Sequence, residues 1–465
     1  MSLPMITDLC SLTAGSMLEL VRHREVSRRE LVQAHLDRIA RTNERVRAVV
    51  ELRTEEALAE ADAADRAHAG RDGLALDGIP MVIKDHFDVA GMKHTEGVPA
   101  KADRRSPADE VAIRRLRDAG AIIIGKCNQP DYQIRWNTVS HLYGATHNPR
   151  DLAKSAGGST GGDAAAVAAG MAAIGLGVDY GGSIRVPASF CGIYGLRPSA
   201  GRIPATPTLA PFDGTPTVDL MASIGPLARS VDDLWRAYAV LVGADAGDPA
   251  SLPLRPGERH GSGRKPRVVR MLDQTGAKVT PEIKARLDRT AQILLDAGYD
   301  VVDGGIPRAR RAPEVWAELI GTELLQAGLP VFGHELGASN RQHIEAMFGL
   351  FNLGSDVRRY LDAFVERRAT VRETALWMEA NPLVLAPVAG MATPALDFDH
   401  MLDERQTIEL FDHMRNVPWV NLLGLPSVAL PNGIQIVARR FREAEAIQAA
   451  AAVERVIGSA SVATM

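Results

Sequence analysis

The sequence predicts an α/β fold, and three observations carry that prediction. A short apolar run at residues 79–83 ends at Lys84, a helical pattern at 111–119 stops at Gly120, and a second apolar run follows at 121–124. A glycine-rich turn near Ser159 leads into a helical stretch at about 163–171 and a strand at about 173–178. Residues 268–271, 281–297 and 301–302 repeat the strand–helix–strand order. Apolar runs alternating with helical patterns across short glycine-marked turns point to helices layered on a sheet.

Taken in order, residues 12–70 read as helices. Ser27-Arg-Arg-Glu30 has capping-box spacing, and Leu31, Ala34 and Ile39 begin an apolar stripe of helical period. The strand–helix–strand unit at 78–124 follows, then a loop-like stretch at 136–150. Residues 199–265 are rich in Pro, Gly and polar residues around a helix near 231–242, and 247–265 is the most linker-like segment. Residues 313–380 read as helical, and their Trp316, Phe332, Met347, Phe348, Phe351, Phe364 and Trp377 as core packing. Strands are expected at 383–386, 427–430 and 434–437, with a closing helix at 444–457. No composition break divides the chain. One domain over 1–465 is expected, with N-terminal helices at 1–70, the motif-bearing core at 71–230, and a second strand–helix portion at 266–457 on the same sheet.

The composition is ordinary globular, 46% hydrophobic and 24% charged. A net charge of −4 and the lack of a long basic run argue against a nucleic-acid partner. Three widely spaced cysteines offer neither a disulfide framework nor a Cys-x-x-Cys metal pattern, so a reducing compartment and no metal or cofactor are expected. The longest apolar run, residues 164–178, is short and rich in Ala and Gly, which argues against a membrane span. A cytoplasmic monomer or homodimer is the expectation.

The chemistry concentrates in residues 155–187. Two Gly-Gly-Ser turns place Ser159 and Ser183 on loops joined by an apolar helix and strand. Glycine pairs admit backbone dihedrals that a side chain forbids, and they leave the serine oxygen and nearby amides uncovered. Lys84, at the end of a buried strand, would lose affinity for its proton on desolvation. A serine hydroxyl attacks only when a neighbour takes its proton. A neutral lysine and two serines can form such a relay, with backbone N–H groups of Tyr180, Gly181, Gly182 and Ser183 facing the oxyanion. Neither glycine-rich stretch carries the Lys-Ser/Thr ending of a phosphate-binding loop, which excludes that nucleotide-binding reading.

Three elements together resemble the amidase signature family: a strand ending in Lys84-Asp85, Gly-Gly-Ser159-Thr-Gly-Gly, and Asp179-Tyr-Gly-Gly-Ser183-Ile-Arg-Val-Pro187. Their spacings, 159 − 84 = 75 and 183 − 159 = 24, also resemble the family's. So do the flanking pieces Gly195-Leu-Arg-Pro198, Ile224-Gly-Pro226 and Asn421-Leu-Leu-Gly-Leu-Pro426. The resemblance implies one α/β domain with a large twisted mixed sheet between helical layers. It implies Lys84 as the base, Ser159 as the bridging serine after a cis peptide, and Ser183 as the acylated nucleophile of an amide hydrolase. Thr160 falls where a second serine often supports the relay by hydrogen bonding, and Asp179 and Arg185 look like supports of the nucleophile turn. Asp163 departs from the Ser or Glu, and His86 from the Asn, that many members carry there; His86 reads as a bystander.

Gln133, Ile134, Trp136 and Asn137 lie in a loop that in relatives lines the pocket. With Tyr180, Phe348 and Phe351 they suggest apolar or aryl amides, with esters and carbamates as further substrates. Arg135 in the same loop would call for an anionic group unless paired, and Asp131 is a possible partner. The alternative within the family is the amidotransferase A-type subunit that releases ammonia from glutamine.

Overall fold

The computed structural model describes residues 8–67, 73–207, 214–257, 265–351, 353 and 356–464. Eleven strands form one mixed sheet. Its order is Val49–Leu52, Ile122–Cys127, Pro80–Lys84, Ile174–Val178, Ile224–Ala228, Tyr194–Arg197, Ser427–Ala429, Ile434–Ala438, Leu383–Pro387, Arg267–Arg270 and Asp300–Asp303. Pro80–Lys84 runs parallel to both neighbours, and so does Arg267–Arg270. The strands between Ile174–Val178 and Leu383–Pro387 pair antiparallel.

The central strands are apolar on both faces because helices cover both. Along a strand, successive side chains point to opposite sides. Met81, Ile83 and Ile123 therefore join one hydrophobic core, while Val82, Ile122 and Ile124 join the other. Leu383 and Leu385 separate from Val384 and Ala386 in the same way. Burying one such side chain contributes about 1.5–3 kcal/mol. The helix Gly161–Ala168, made almost wholly of Gly and Ala, fits flush against the sheet on one side. The helices Val231–Leu241, Pro281–Asp296 and Glu443–Ile457 cover the other.

Several helix ends follow from local chemistry. Ser27 and Glu30 form the expected capping box at the start of Arg28–Val46. Ser230 and Thr280 cap the helices that follow them. Residues 12–70 are not all helical: Val49–Leu52 is a strand at the sheet edge, antiparallel to Ile122–Cys127. Its four residues are too few to impose a period of two on the sequence. The helix Arg185–Cys191 and the strands Tyr194–Arg197 and Ile224–Ala228 also go beyond the sequence reading, since glycine and proline interrupt their apolar pattern. The expected linker at 247–265 lies partly outside the described residues. Among the described residues, no helix is long and apolar enough to cross a membrane.

Candidate active site

Lys84 is the last residue of its strand and is fully buried. Its Nζ donates to Ser159 Oγ and to Gln133 Oε1, each at 2.7 Å. Burial pushes its pKa down to about 7, against the pull of the negative charges of Asp163, Glu96, Asp179 and Asp85. Asp163 is also fully buried, with neither carboxylate oxygen hydrogen-bonded. Burial raises its pKa well above the ordinary value, against the attraction of Lys84. Both groups are thus driven toward their neutral forms.

Ser159 follows a cis peptide bond from Gly158. Ser183 stands on the same pocket wall as Ser159. The two turns are tied through their backbones, with Thr160 N–H donating to the Ser183 carbonyl at 3.1 Å. Among the described residues, no hydrogen bond joins the two serine hydroxyls. Catalytic hydrogen bonds of this kind commonly tighten only when substrate binds. The Thr160 hydroxyl does not reach the relay: its Oγ1 lies 3.4 Å from the Val178 carbonyl, and the residue acts through its backbone.

The nucleophile turn is held by a buried ionic network. Asp179 accepts the N–H groups of Gly182, Ile184 and Arg185 at 2.9, 3.2 and 3.3 Å, and the Arg185 guanidinium from two nitrogens at 3.0 Å. Burial would raise the Asp179 pKa, but Arg185, Arg197 and Asn421 hold it well below the usual carboxylate range. Arg185 also donates to Asn421 Oδ1 at 2.5 Å and Gln435 Oε1 at 2.9 Å. A sequence motif contains Asn421, and Gln435 falls in an expected strand, but neither gives a sign of meeting Arg185, because each contact spans more than two hundred residues.

Two tryptophans fix the carbonyls of the same turn. Trp136 Nε1 donates to the Gly181 oxygen at 2.7 Å, and Trp316 Nε1 to the Tyr180 oxygen at 3.0 Å. Both glycines are sterically required. A Cβ on Gly181 would press on the Trp316 ring, and one on Gly182 (φ +103°) would collide with Val417. Because the Gly182 amide is spent on Asp179, it is not an available oxyanion donor. The amides of Tyr180, Gly181 and Ser183 have no protein acceptor among the described residues.

The serines open into a cavity of about 300 Å3. Gln133, Ile134, Trp136, Tyr180, Trp316, Phe332, Met347 and Phe348 line it, so several aromatics read as core packing form pocket wall. Gln133 is there chiefly as the partner of Lys84. Asn137 is not on the wall: it is buried, donating to the Leu396 carbonyl and Asp399 and accepting from Ser155. Phe351 packs edge-on against Phe411 instead. Arg135 pairs with Asp399, not Asp131, at 2.7 and 2.8 Å. Asp131 accepts the amides of His141 and Gly337. Glu323, unmarked in the sequence, lines the far wall and accepts from Tyr360 OH at 2.6 Å and from Thr217.

A profile of the Amidase family matches residues 30–447. The chain belongs to the amidase signature family. It is 34% identical to an indoleacetamide hydrolase of Bradyrhizobium diazoefficiens, over 94% of this chain and 85% of that protein. It is 31% identical to the A-type subunit of the glutamyl-tRNA(Gln) amidotransferase of Moorella thermoacetica, over 96% of this chain and 97% of that one. Among solved structures, 6-aminohexanoate cyclic dimer hydrolase superposes with a TM-score of 0.83 at 27% identity, covering 98% of both chains. A bacterial aryl acylamidase of the amidase signature family gives 0.81 at 27% identity, covering 96% of each. The eleven-strand mixed sheet between helical layers is thus the amidase signature fold, and the chain is a family hydrolase of amides.

Proposed function

We propose that this amidase hydrolyses carboxylic amides through an acyl-enzyme on Ser183, with Lys84 and Ser159 relaying protons. The observation that carries the reading is Lys84: a buried amine with a pKa of about 7, 2.7 Å from Ser159 Oγ beside Ser183. In this scheme neutral Lys84 takes the Ser159 proton as Ser159 takes that of Ser183. The Ser183 oxygen then adds to the amide carbon, and the oxyanion meets the amides of Tyr180, Gly181 and Ser183. The proton returns to the departing nitrogen, and water releases the acid by the reverse sequence.

The preferred substrates are apolar and aryl amides, with esters and aryl carbamates open to the same acyl transfer. The aromatic wall gains about 25 cal/mol for each Å2 of apolar surface it covers. The pocket's guanidinium is neutralised by Asp399, and the Glu323 carboxylate faces no cation in an ion pair among the described residues. Such a wall favours neutral groups and opposes the carboxylate of free glutamine. The indoleacetamide hydrolase relative makes indoleacetamide a natural first aromatic substrate.

The test pairs labelling with a substrate panel. A fluorophosphonate should add to the Ser183 peptide, and Ser183→Ala should abolish label and turnover. The protein alone should release 4-nitroaniline from simple acyl anilides. Label confined to Ser159 reverses the assignment of nucleophile, and efficient ammonia release from free glutamine sinks the substrate reading in favour of an amidotransferase component.

A further inference from the structure

His86, His94 and Glu96 follow the Lys84 strand, and the loop folds their donor atoms onto one spot outside the relay. Their ligand atoms all lie within 4.8 Å of one another. Glu96 Oε1 is 3.0 Å from His94 Nε2 and 3.2 Å from His86 Nδ1. Tetrahedral zinc, with nitrogen and oxygen ligands at about 2.0–2.1 Å, sets neighbouring donor atoms about 3.3 Å apart. Glu96 Oε1 therefore sits within a few tenths of an ångström of that spacing from each imidazole, and the two imidazole nitrogens, within 4.8 Å of each other, complete the triangle around an ion.

The surroundings are those of a supported ligand set. His94 Nδ1 sits 2.6 Å from Asp88 Oδ1, a carboxylate behind an imidazole whose other nitrogen faces the site. That pairing orients metal-bound histidines and raises their basicity. Gln129 Nε2 donates to Glu96 Oε2 at 2.8 Å and fixes the carboxylate. His94 and Glu96 are buried, whereas the His86 side chain is 29% exposed on the pocket wall and provides an entry path. The sequence offers no warning of this, because His-x7-His-x-Glu is not one of the metal-binding spacings a reader looks for. The absence of cysteine pairs led to the expectation of no metal.

We propose that His86, His94 and Glu96 form a site for a zinc-class divalent ion on the wall of the catalytic pocket, with Asp88 supporting His94 and the fourth position left to water. Entry of the ion replaces the ion pair between His94 and Glu96, and any proton on His94 Nε2 passes to solvent. The relay from Lys84 to Ser159 is formed by other atoms, so metal binding is read independently of hydrolysis.

The experiment titrates chelator-treated, full-length protein with Zn2+ by calorimetry and with Co2+ by visible absorption. One ion per chain is expected. His86→Asn, at the most exposed ligand, should weaken binding at least tenfold and abolish the Co2+ absorption, while Asp88→Asn should weaken it by about 10–100-fold. Ser183→Ala should bind as the wild type does. Zinc X-ray absorption of the wild-type protein, which needs no variant to fold, should show two imidazoles and no sulfur. Absence of saturable Zn2+ binding, equal affinity in His86→Asn and wild type, or a thiolate shell from the buried cysteines would overturn the proposal.

Discussion

Lys84 sets the pH behaviour expected of the enzyme. Its folded pKa lies near 7, below the ordinary lysine value, so the neutral amine accumulates as pH rises through that point. The kcat/KM for an anilide should climb tenfold per pH unit below about 7 and level off above it. Lys84→Ala should flatten the profile and reduce amide turnover by several orders of magnitude, in line with losses for members of a catalytic unit. Ester turnover should suffer less, because an alkoxide or phenolate leaves without a proton. Full amide activity in Lys84→Ala would refute the relay. The lysine and both serines were legible in the sequence because glycine turns and a charged strand end are local signals. Asn137 was misread for the opposite reason. Membership of a lining loop does not tell which way a side chain turns, and this one turns to Asp399, 262 residues away.

At the scale of the element, the nucleophile turn is held by charge where glycine leaves the backbone free. Asp179→Asn would leave Arg185 and Arg197 buried without their counter-charge. Breaking such a pair costs about 3–5 kcal/mol, so the urea midpoint should fall accordingly; an unchanged midpoint would show that the network does not hold the turn. Gly182→Ala should abolish fluorophosphonate labelling, since its Cβ collides with Val417 at a positive φ. The strand–helix–strand units of the two sheet halves were readable from apolar runs bounded by glycine. Val49–Leu52 and Tyr194–Arg197 were not, because a four-residue strand takes its identity from its partners. The aromatics Trp316, Phe332 and Phe348, with Met347 beside them, show the same limit: composition does not separate a core from a cavity wall.

Across the whole molecule, the pocket draws on segments far apart in the chain, from His86 to Phe348. Ile134→Ala and Trp316→Ala should lower the efficiency ratio of large aryl over small aliphatic amides; an unchanged ratio would place both side chains outside the substrate's reach. Glu323→Gln should improve turnover of anionic acyl anilides relative to neutral ones, measured as a ratio within each protein. No gain would mean that the carboxylate is screened from the substrate by Thr217 and Tyr360.

The contact of Arg185 with Asn421 has one more consequence, for the order of events during synthesis. A ribosome that has delivered Lys84, Ser159 and Ser183 has delivered every group of the relay, but Asn421 and Gln435, which steady the nucleophile turn, are still untranslated. The strand Tyr194–Arg197 likewise waits for Ser427–Ala429 to pair along its open edge. A nascent chain stalled before Asn421 therefore carries the whole catalytic alphabet but lacks the late-arriving side chains that steady its nucleophile turn.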